Sequence, residues 1–527
     1  MINQQNQPDL AALIAQSPDG MMSRDLMELI AMLIDMGGDA GSMAALDRAQ
    51  YLLNDLEPGS LTPYEQCRAH YFRANLWSAY RNNSATQREW HWKSEAIDGE
   101  ILELRRALAH VGFFELNRLE MAQIYTNLGS ILSHIGRFVE AIEYWDRAIA
   151  TVPAFAMALG NRGIALGHYA ASLYDPGHCG VLMYAAFDAF RAACMNNAIN
   201  ENPDNQPALN NFLHRAQQID ADFDINTIAS TIDLINHPMG RNKADRAYRQ
   251  WCLNNRLFIN PLNDMGPNPI AAQDVMTLPN IVVSIEQGWQ PPPVIHYFNA
   301  LKHEYCSARF ALYEASTEQN VHYSDRRILI YDTLNFAMHG FAVERAKMAF
   351  RGAYALFDKI GFLLNEYLLL GHAERQVNFC NLWFVKGKGK ELHPSLDGLA
   401  NWPLRGLFWL SKDIFEDDFR TVTEPDAQAL YELRNHMEHK FVSVHDGFCR
   451  MISPNVATTP EIGVIDVSFD ELMIKTLRQL KLARAALIYL SLGIHAEERR
   501  RAATRGDDEL VAGMPLHPVR DSAKRRY

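Results

Sequence analysis

Apolar residues recur every three to four positions through most of this 527-residue chain, and one stretch near the middle breaks the rhythm. That period places side chains along one face of an α-helix, whereas a half-buried strand would show alternation. The fold class expected is therefore all-α. HYFNALKHEYCSARFALYEA (296–315), ERAKMAFRGAYALFDKIGFLLNEYLLLG (344–371), LRGLFWLSKDIFED (404–417) and SFDELMIKTLRQLKLARAALIYLSLGI (468–494) predict long helices joined by loops, the pattern of an antiparallel bundle. The break holds NPLNDMGPNPIAAQD (260–274) and WQPPPV (289–294), whose Pro, Asn and Gly mark turns. Between them MTLPNIVVSIE (276–286) is the most strand-like stretch, and the aromatic block YRQWCLNNRLFI (248–259) is expected to anchor the segment by packing. A chain this long exceeds one core. It divides into a helical region at 1–215, a connecting segment with turns and a short strand at 216–295, a helical bundle at 296–498 and a flexible basic tail at 499–527, which carries RRR (499–501) and KRR (524–526).

Charge narrows the chemistry. The net charge is −12, and all of it lies in the first part: residues 301–527 hold 30 Lys/Arg against 30 Asp/Glu, leaving 20 against 32 in residues 1–300. A generally nucleic-acid-binding surface is excluded, and any RNA is handled by the second part. The seven cysteines are odd in number and scattered, with no C-x-x-C, so neither a disulfide framework nor a cysteine zinc site is expected. MINQQNQPDL lacks the basic and apolar regions of a signal peptide, and GFLLNEYLLLG (361–371) is too short and too interrupted by Asn365 and Glu366 to span a membrane. A cytoplasmic protein with no membrane partner is expected.

In the first part, IYTNLGSILSHIGRFVEAIEYWDRAIATVP (124–153) reads as two packed helices. Gly129 and Ala141 allow close approach, Tyr125, Leu128, Leu132, Trp145 and Ala148 supply the packing, and Pro153 stops the second helix. The unit resembles a tetratricopeptide repeat (TPR). One 34-residue period after Gly129 comes Gly163; this second copy is expected to break at YDPGHCG (174–180) and resume at 185. Such units need about three stacked copies to bury a core, so more are expected before residue 120. The resemblance implies a surface for a protein or ligand trigger; a plain scaffold packed on the second part is the other reading.

In the second part, YELRNHMEHKF (431–441) crowds polar groups onto a predicted helix that begins after Pro425–Asp426 and runs through Val444. Leu430, Leu433, Met437, Phe441 and Val444 form one apolar stripe. At 100° per residue Asn435 and His439 fall together on the opposite side, one turn apart, while Arg434 lies at the stripe's edge beside Glu438, its expected ion-pair partner. His436 and His439, with His445 beyond, invite a metal reading, but no H-E-x-x-H or cysteine ligand accompanies them and no metal is expected. WFVKGKGKELHP (383–394) carries three lysines without the phosphate-loop pattern and reads as a basic loop. No other nucleotide or nucleophile motif occurs.

Arg434–Asn435–x–x–x–His439, in a bundle followed by a long terminal helix, resembles the R-x4-H motif of the HEPN ribonucleases. The likeness covers roughly 296–500, and the TPR-like part with WCLNNRLFINPLND resembles a subgroup of that family. It implies metal-independent endonucleolytic RNA cleavage in which the ribose 2′-hydroxyl attacks the adjacent phosphate, without a cofactor, at a site formed between two protomers of a homodimer. Histidine, with an ordinary pKa of ~6.5, suits His439 to exchange a proton with the attacking or leaving oxygen. Arg434 would hold the phosphate oxygens, Asn435 would orient His439 or hold the backbone through its amide, and His436 and Lys440 would either contact RNA phosphate or stand solvated. The resemblance further implies a toxin, stress or phage-defence role restrained through the repeat region. A HEPN module that binds RNA or nucleotide without cutting, or a TPR interaction scaffold, remains the alternative.

Overall fold

Short polar residues fix where the helices begin. Ser42, Ser94 and Asn117 each precede an apolar-periodic run and accept a backbone N–H from its first turn, Asn117 at 2.9 Å from Glu120. Glu120 reaches back to the Asn117 N–H at 3.2 Å, closing a capping box. The structure, a computed structural model, describes all residues except 1–8, 84–91, 201–204, 285–291, 319, 332–336, 388, 417–426, 447–462, 506–510, 514–516, 520 and 525–527.

The described residues form an all-α fold, a helical-repeat region followed by a bundle. The first part holds α1 (Leu10–Ala15), α2 (Ser23–Asp39), α3 (Met43–Asp55), α4 (Pro63–Asn83), α5 (Glu95–Ala109), α6 (Arg118–His134), α7 (Phe138–Thr151), α8 (Ala156–Ser172), α9 (Pro176–Ala193) and α10 (Gln206–Asp222). From α4 to α9 they pack as successive pairs, α4 on α5, α6 on α7 and α8 on α9. The unit expected at 124–153 is the α6–α7 pair. A Cβ built on Gly129 would lie 2.9 Å from the Trp145 indole, so this crossing tolerates glycine alone. The expected break at YDPGHCG is shorter than its length suggests: only 173–175 are non-helical, and the chain resumes helix at Pro176 rather than at 185. Asp175 caps α9 by accepting the His178 N–H at 2.7 Å, with Pro176 as the first helical residue. The Asp-Pro-Gly string that reads as a loop is a helix start, because a proline there loses no hydrogen bond.

The connecting part holds α11 (Ile225–Thr231), α12 (Lys243–Asn254) and β1 (Val282–Ser284), and the bundle α13 (Pro293–Thr317), α14 (Phe341–Tyr367), α15 (Trp402–Phe415), α16 (Ala427–His439), β2 (Phe441–His445), β3 (Val464–Ser468) and α17 (Phe469–Thr504). Cys252, Leu253, Leu257, Phe258 and Ile259 are buried, as the aromatic block predicts. One buried core runs from Cys67 to Ile494 across positions 215 and 295, and a smaller one is built from α1–α4. The connecting segment is a structural wedge: the fully buried Asp264 takes Arg484 of α17 at 2.6 Å and the Tyr169 hydroxyl of α8 at 3.1 Å.

Buried charge also locks the repeat helices to the bundle. Arg105 of α5 grips both oxygens of Asp413 on α15 at 2.7 and 2.8 Å, and Arg137, just before α7, binds the same carboxylate. The Tyr489 hydroxyl of α17 accepts the Val139 N–H at 3.0 Å and donates to Glu140. Trp402 donates its indole N–H to the Ser133 carbonyl at 2.7 Å.

The tail departs from the expectation of a flexible end. Residues 499–504 continue α17, with Arg500 and Arg501 on Glu497 and Glu498, and β4 (Val511–Gly513) pairs antiparallel with β1, Val283 opposite Ala512. Charged residues i, i+3 and i, i+4 apart extend the helix where composition alone reads as tail.

Candidate functional site

Helix α16, described from Ala427, buries Leu430, Leu433 and Met437 against α14 and α15, and the start expected at Pro425–Asp426 lies outside the described residues. Burying three such side chains contributes several kcal/mol at ~1.5–3 kcal/mol each, enough to fix which face looks outward. Asn435 and His439, one turn apart, lie on the other side, and His439 and Lys440 are exposed.

The helix stops at His439, and the expected continuation through Val444 is corrected by the structure. Lys440 N–H still closes on the His436 carbonyl at 2.9 Å, but Phe441 N–H turns away to the Gly463 carbonyl at 3.1 Å. From there β2 runs parallel to β3, Phe441 opposite Val464 and His445 opposite Ser468. The sequence F-V-S-V-H fits a strand as well as a helix turn, Val442 and Val444 favour the pleated backbone, and pairing with β3 decides for the strand. Phe441, expected in the stripe, is 74% exposed, whereas Val444 is buried by the new alternation. His445 bonds Asp466 across the pair, Nε2 to Oδ1 at 3.0 Å.

Arg434 is half-buried; its Nη1 donates to Asn435 Oδ1 at 3.2 Å, and its guanidinium lies 5.4 Å from the Tyr354 ring centroid on α14. This cation–π contact, worth ~0.5–1 kcal/mol, and the amide limit where the fork can swing. Glu438 does not take the ion-pair role expected with Arg434: its carboxylate lies 3.7 Å from Arg351 Nε instead. Both groups are about half exposed, so this pair is worth little in itself. His436 Nδ1 donates to the Glu432 carbonyl at 2.8 Å, which fixes the hydrogen-bearing nitrogen and turns the ring back along the helix.

The structure thus brings Arg434 and Asn435 into contact and leaves His439 and Lys440 open at the helix end. Arg351 and Tyr354, one turn apart on α14, complete the surroundings. Sequence reasoning missed both, because ERAKMAFRGAYALFDKI carries no local mark of the helix it will meet. Among the described residues no group of three or more His, Cys, Asp or Glu is arranged to hold a metal ion. In the basic loop, Phe384 bridges Leu392 and Lys390 pairs with Glu416 at 3.1 Å. Among the described residues no helix is long and apolar enough to cross a membrane.

Residues 285–497 match the family model described as LA2681-like HEPN. The match supports a HEPN domain over this segment. The matched segment takes in α13 to α16, β2, β3 and most of α17, so the Arg434–His439 helix lies inside it. No curated protein and no solved structure matched the chain.

Proposed function

We propose that the chain is a metal-independent endoribonuclease whose HEPN domain cuts RNA by attack of a ribose 2′-hydroxyl on the adjacent phosphate. One observation carries the reading: Arg434 and Asn435 sit hydrogen-bonded on a helix anchored by its apolar face, with His439 exposed one turn beyond Asn435. His439 exchanges a proton with the attacking or the leaving oxygen. As the 2′-oxygen bonds phosphorus, charge builds on the phosphate oxygens, and Arg434 stabilises it as a permanent cation. The bond to the 5′-oxygen then breaks, and that oxygen takes up a proton. Asn435 orients Arg434 through its carbonyl oxygen, and His436 and Lys440 add polar contacts for the flanking backbone. Incubation with total RNA in EDTA tests the reading: cleavage is expected to persist, and dependence on added divalent metal counts against it.

The second copy of the site is supplied by a homodimer. Val321, Tyr323, Leu329, Tyr331 and Phe441 are 70–84% exposed, and Phe441 stands two residues beyond His439. At the areas typical of such side chains they offer roughly 800 Å2, about one partner's share of a standard interface. Light scattering should give twice the chain mass of 59.8 kDa, and Leu329→Asp with Tyr331→Asp should give the single mass. A doubly substituted protein that stays dimeric rules this surface out. The repeat region, joined to α15 by the buried Asp413 pairs, is the proposed seat of a protein or ligand trigger in a toxin, stress or phage-defence role.

A further inference from the structure

Where α16 ends, one backbone carbonyl loses its natural partner. In a continuing helix the Met437 carbonyl would accept the Phe441 N–H, but that N–H goes to Gly463 as the chain enters β2. Arg351, reaching across from α14, donates Nη2 to the Met437 carbonyl and holds Glu438 Oε1 at 3.7 Å from its Nε. One turn further along α14, Tyr354 lies under Arg434. Helix α14 therefore grips α16 at two points, one at Arg434 and one on the last turn, immediately before His439.

We propose that Arg351 is a positioning residue for His439: by capping the Met437 carbonyl it lets the helix stop one residue short of the strand and fixes the last turn on which His439 stands. The inference rests on the ribonuclease reading for its effect on rate, but the capping role has its own readout. The residue is suited to it. Its side chain is 45% exposed, so it has room to bond the helix end without burial of its charge, and a cation is favourable at a helix C-terminus. The energetic gain is modest, whereas the geometric consequence is not, because displacing a reacting group by about 1 Å can cost on the order of 100-fold in rate.

Three substitutions in the full-length chain separate the possibilities. Arg351→Met is expected to lower kcat by about 10- to 100-fold while KM changes by less than about twofold. Hydrogen exchange should speed up at the Lys440 amide, which closes the last turn, and stay unchanged at Leu433 in the middle of α16. Arg351→Lys, which keeps a charged donor, should recover most of the rate and protection. Glu438→Gln, which leaves the carbonyl bond in place, should keep kcat within about twofold. An Arg351→Met protein with normal kcat and normal Lys440 protection overturns the inference while leaving the ribonuclease reading intact. A fall in rate matched by exchange throughout α16 overturns it too, since Arg351 would then be holding the whole helix. If the unsubstituted protein cuts no RNA, the ribonuclease reading fails, and Lys440 protection alone judges the cap.

Discussion

His439→Ala is expected to abolish RNA cleavage, lowering the rate by about 10²–10⁴-fold, the usual contribution of a positioned acid or base. The fold should be untouched. His439 is exposed at the end of α16, and surface substitutions of this kind shift stability by no more than about 0.5 kcal/mol. Arg434→Ala should cost about 10²–10³-fold through loss of charge stabilisation, along with a small loss of stability as the Tyr354 contact disappears. Because the two residues act on one transition state, the double variant should be little worse than the worse single one. Parallel cleavage assays and melting curves read both quantities. Cleavage that survives in both variants, with the melting temperature unchanged, removes the site assignment.

The second large effect is on stability, at Asp413. Burial pushes this carboxyl's pKa up, but Arg105 and Arg137 pull it down further by charge and hydrogen bonding, to about 2. Its folded value thus lies below the ordinary carboxylate value. The stability it confers is fully present above the unfolded pKa of ~3.9 and is lost as pH falls from there through about 2. At neutral pH, Asp413→Ala takes from Arg105 the carboxylate it grips with both nitrogens and leaves Arg137 with Glu140, and breaking a buried pair of this kind typically costs ~3–5 kcal/mol. The apparent melting temperature should drop by roughly 3–5 °C in a chain of this size. Replacing the bidentate pair, with Asp413→Leu and Arg105→Met, should restore part of the loss, since a buried ion pair is often no better than apolar packing of equal volume and Arg137 keeps Glu140. Calorimetry at pH 7 distinguishes these outcomes. A single Asp413→Ala variant as stable as the parent would mean that the repeat helices and α15 are not held through this carboxylate.

Local chemistry was readable in the chain, and pairing over distance was not. The crossing of α6 and α7 was visible because Gly129 and Ala141 allow close approach, and a Cβ on Gly129 would indeed meet Trp145. Its end was misread for a definite reason. Phe441 and Val444 continue the helical stripe by spacing, while F-V-S-V-H also satisfies a strand, and the deciding partner, β3, lies some twenty residues downstream. At Asp175 the opposite error occurred, a helix cap taken for a loop, since Asp-Pro-Gly serves both. Asp413 and its two arginines are separated by 308 and 276 residues, so no window on the sequence brings them together. The same holds for Arg351, 86 residues from the carbonyl it caps. At the candidate site the surroundings were not legible: Glu438 lay at the right spacing for Arg434, and tertiary packing gave it to Arg351.

The central claim is one of chemistry, and the ends of the cut RNA report on it directly. Mass spectrometry of fragments made by the full-length protein in EDTA should find 2′,3′-cyclic phosphate on one side of each cut and a 5′-hydroxyl on the other, with neither formed by His439→Ala. Fragments ending in a 3′-hydroxyl and a 5′-phosphate, appearing only when magnesium or manganese is added, would contradict the account.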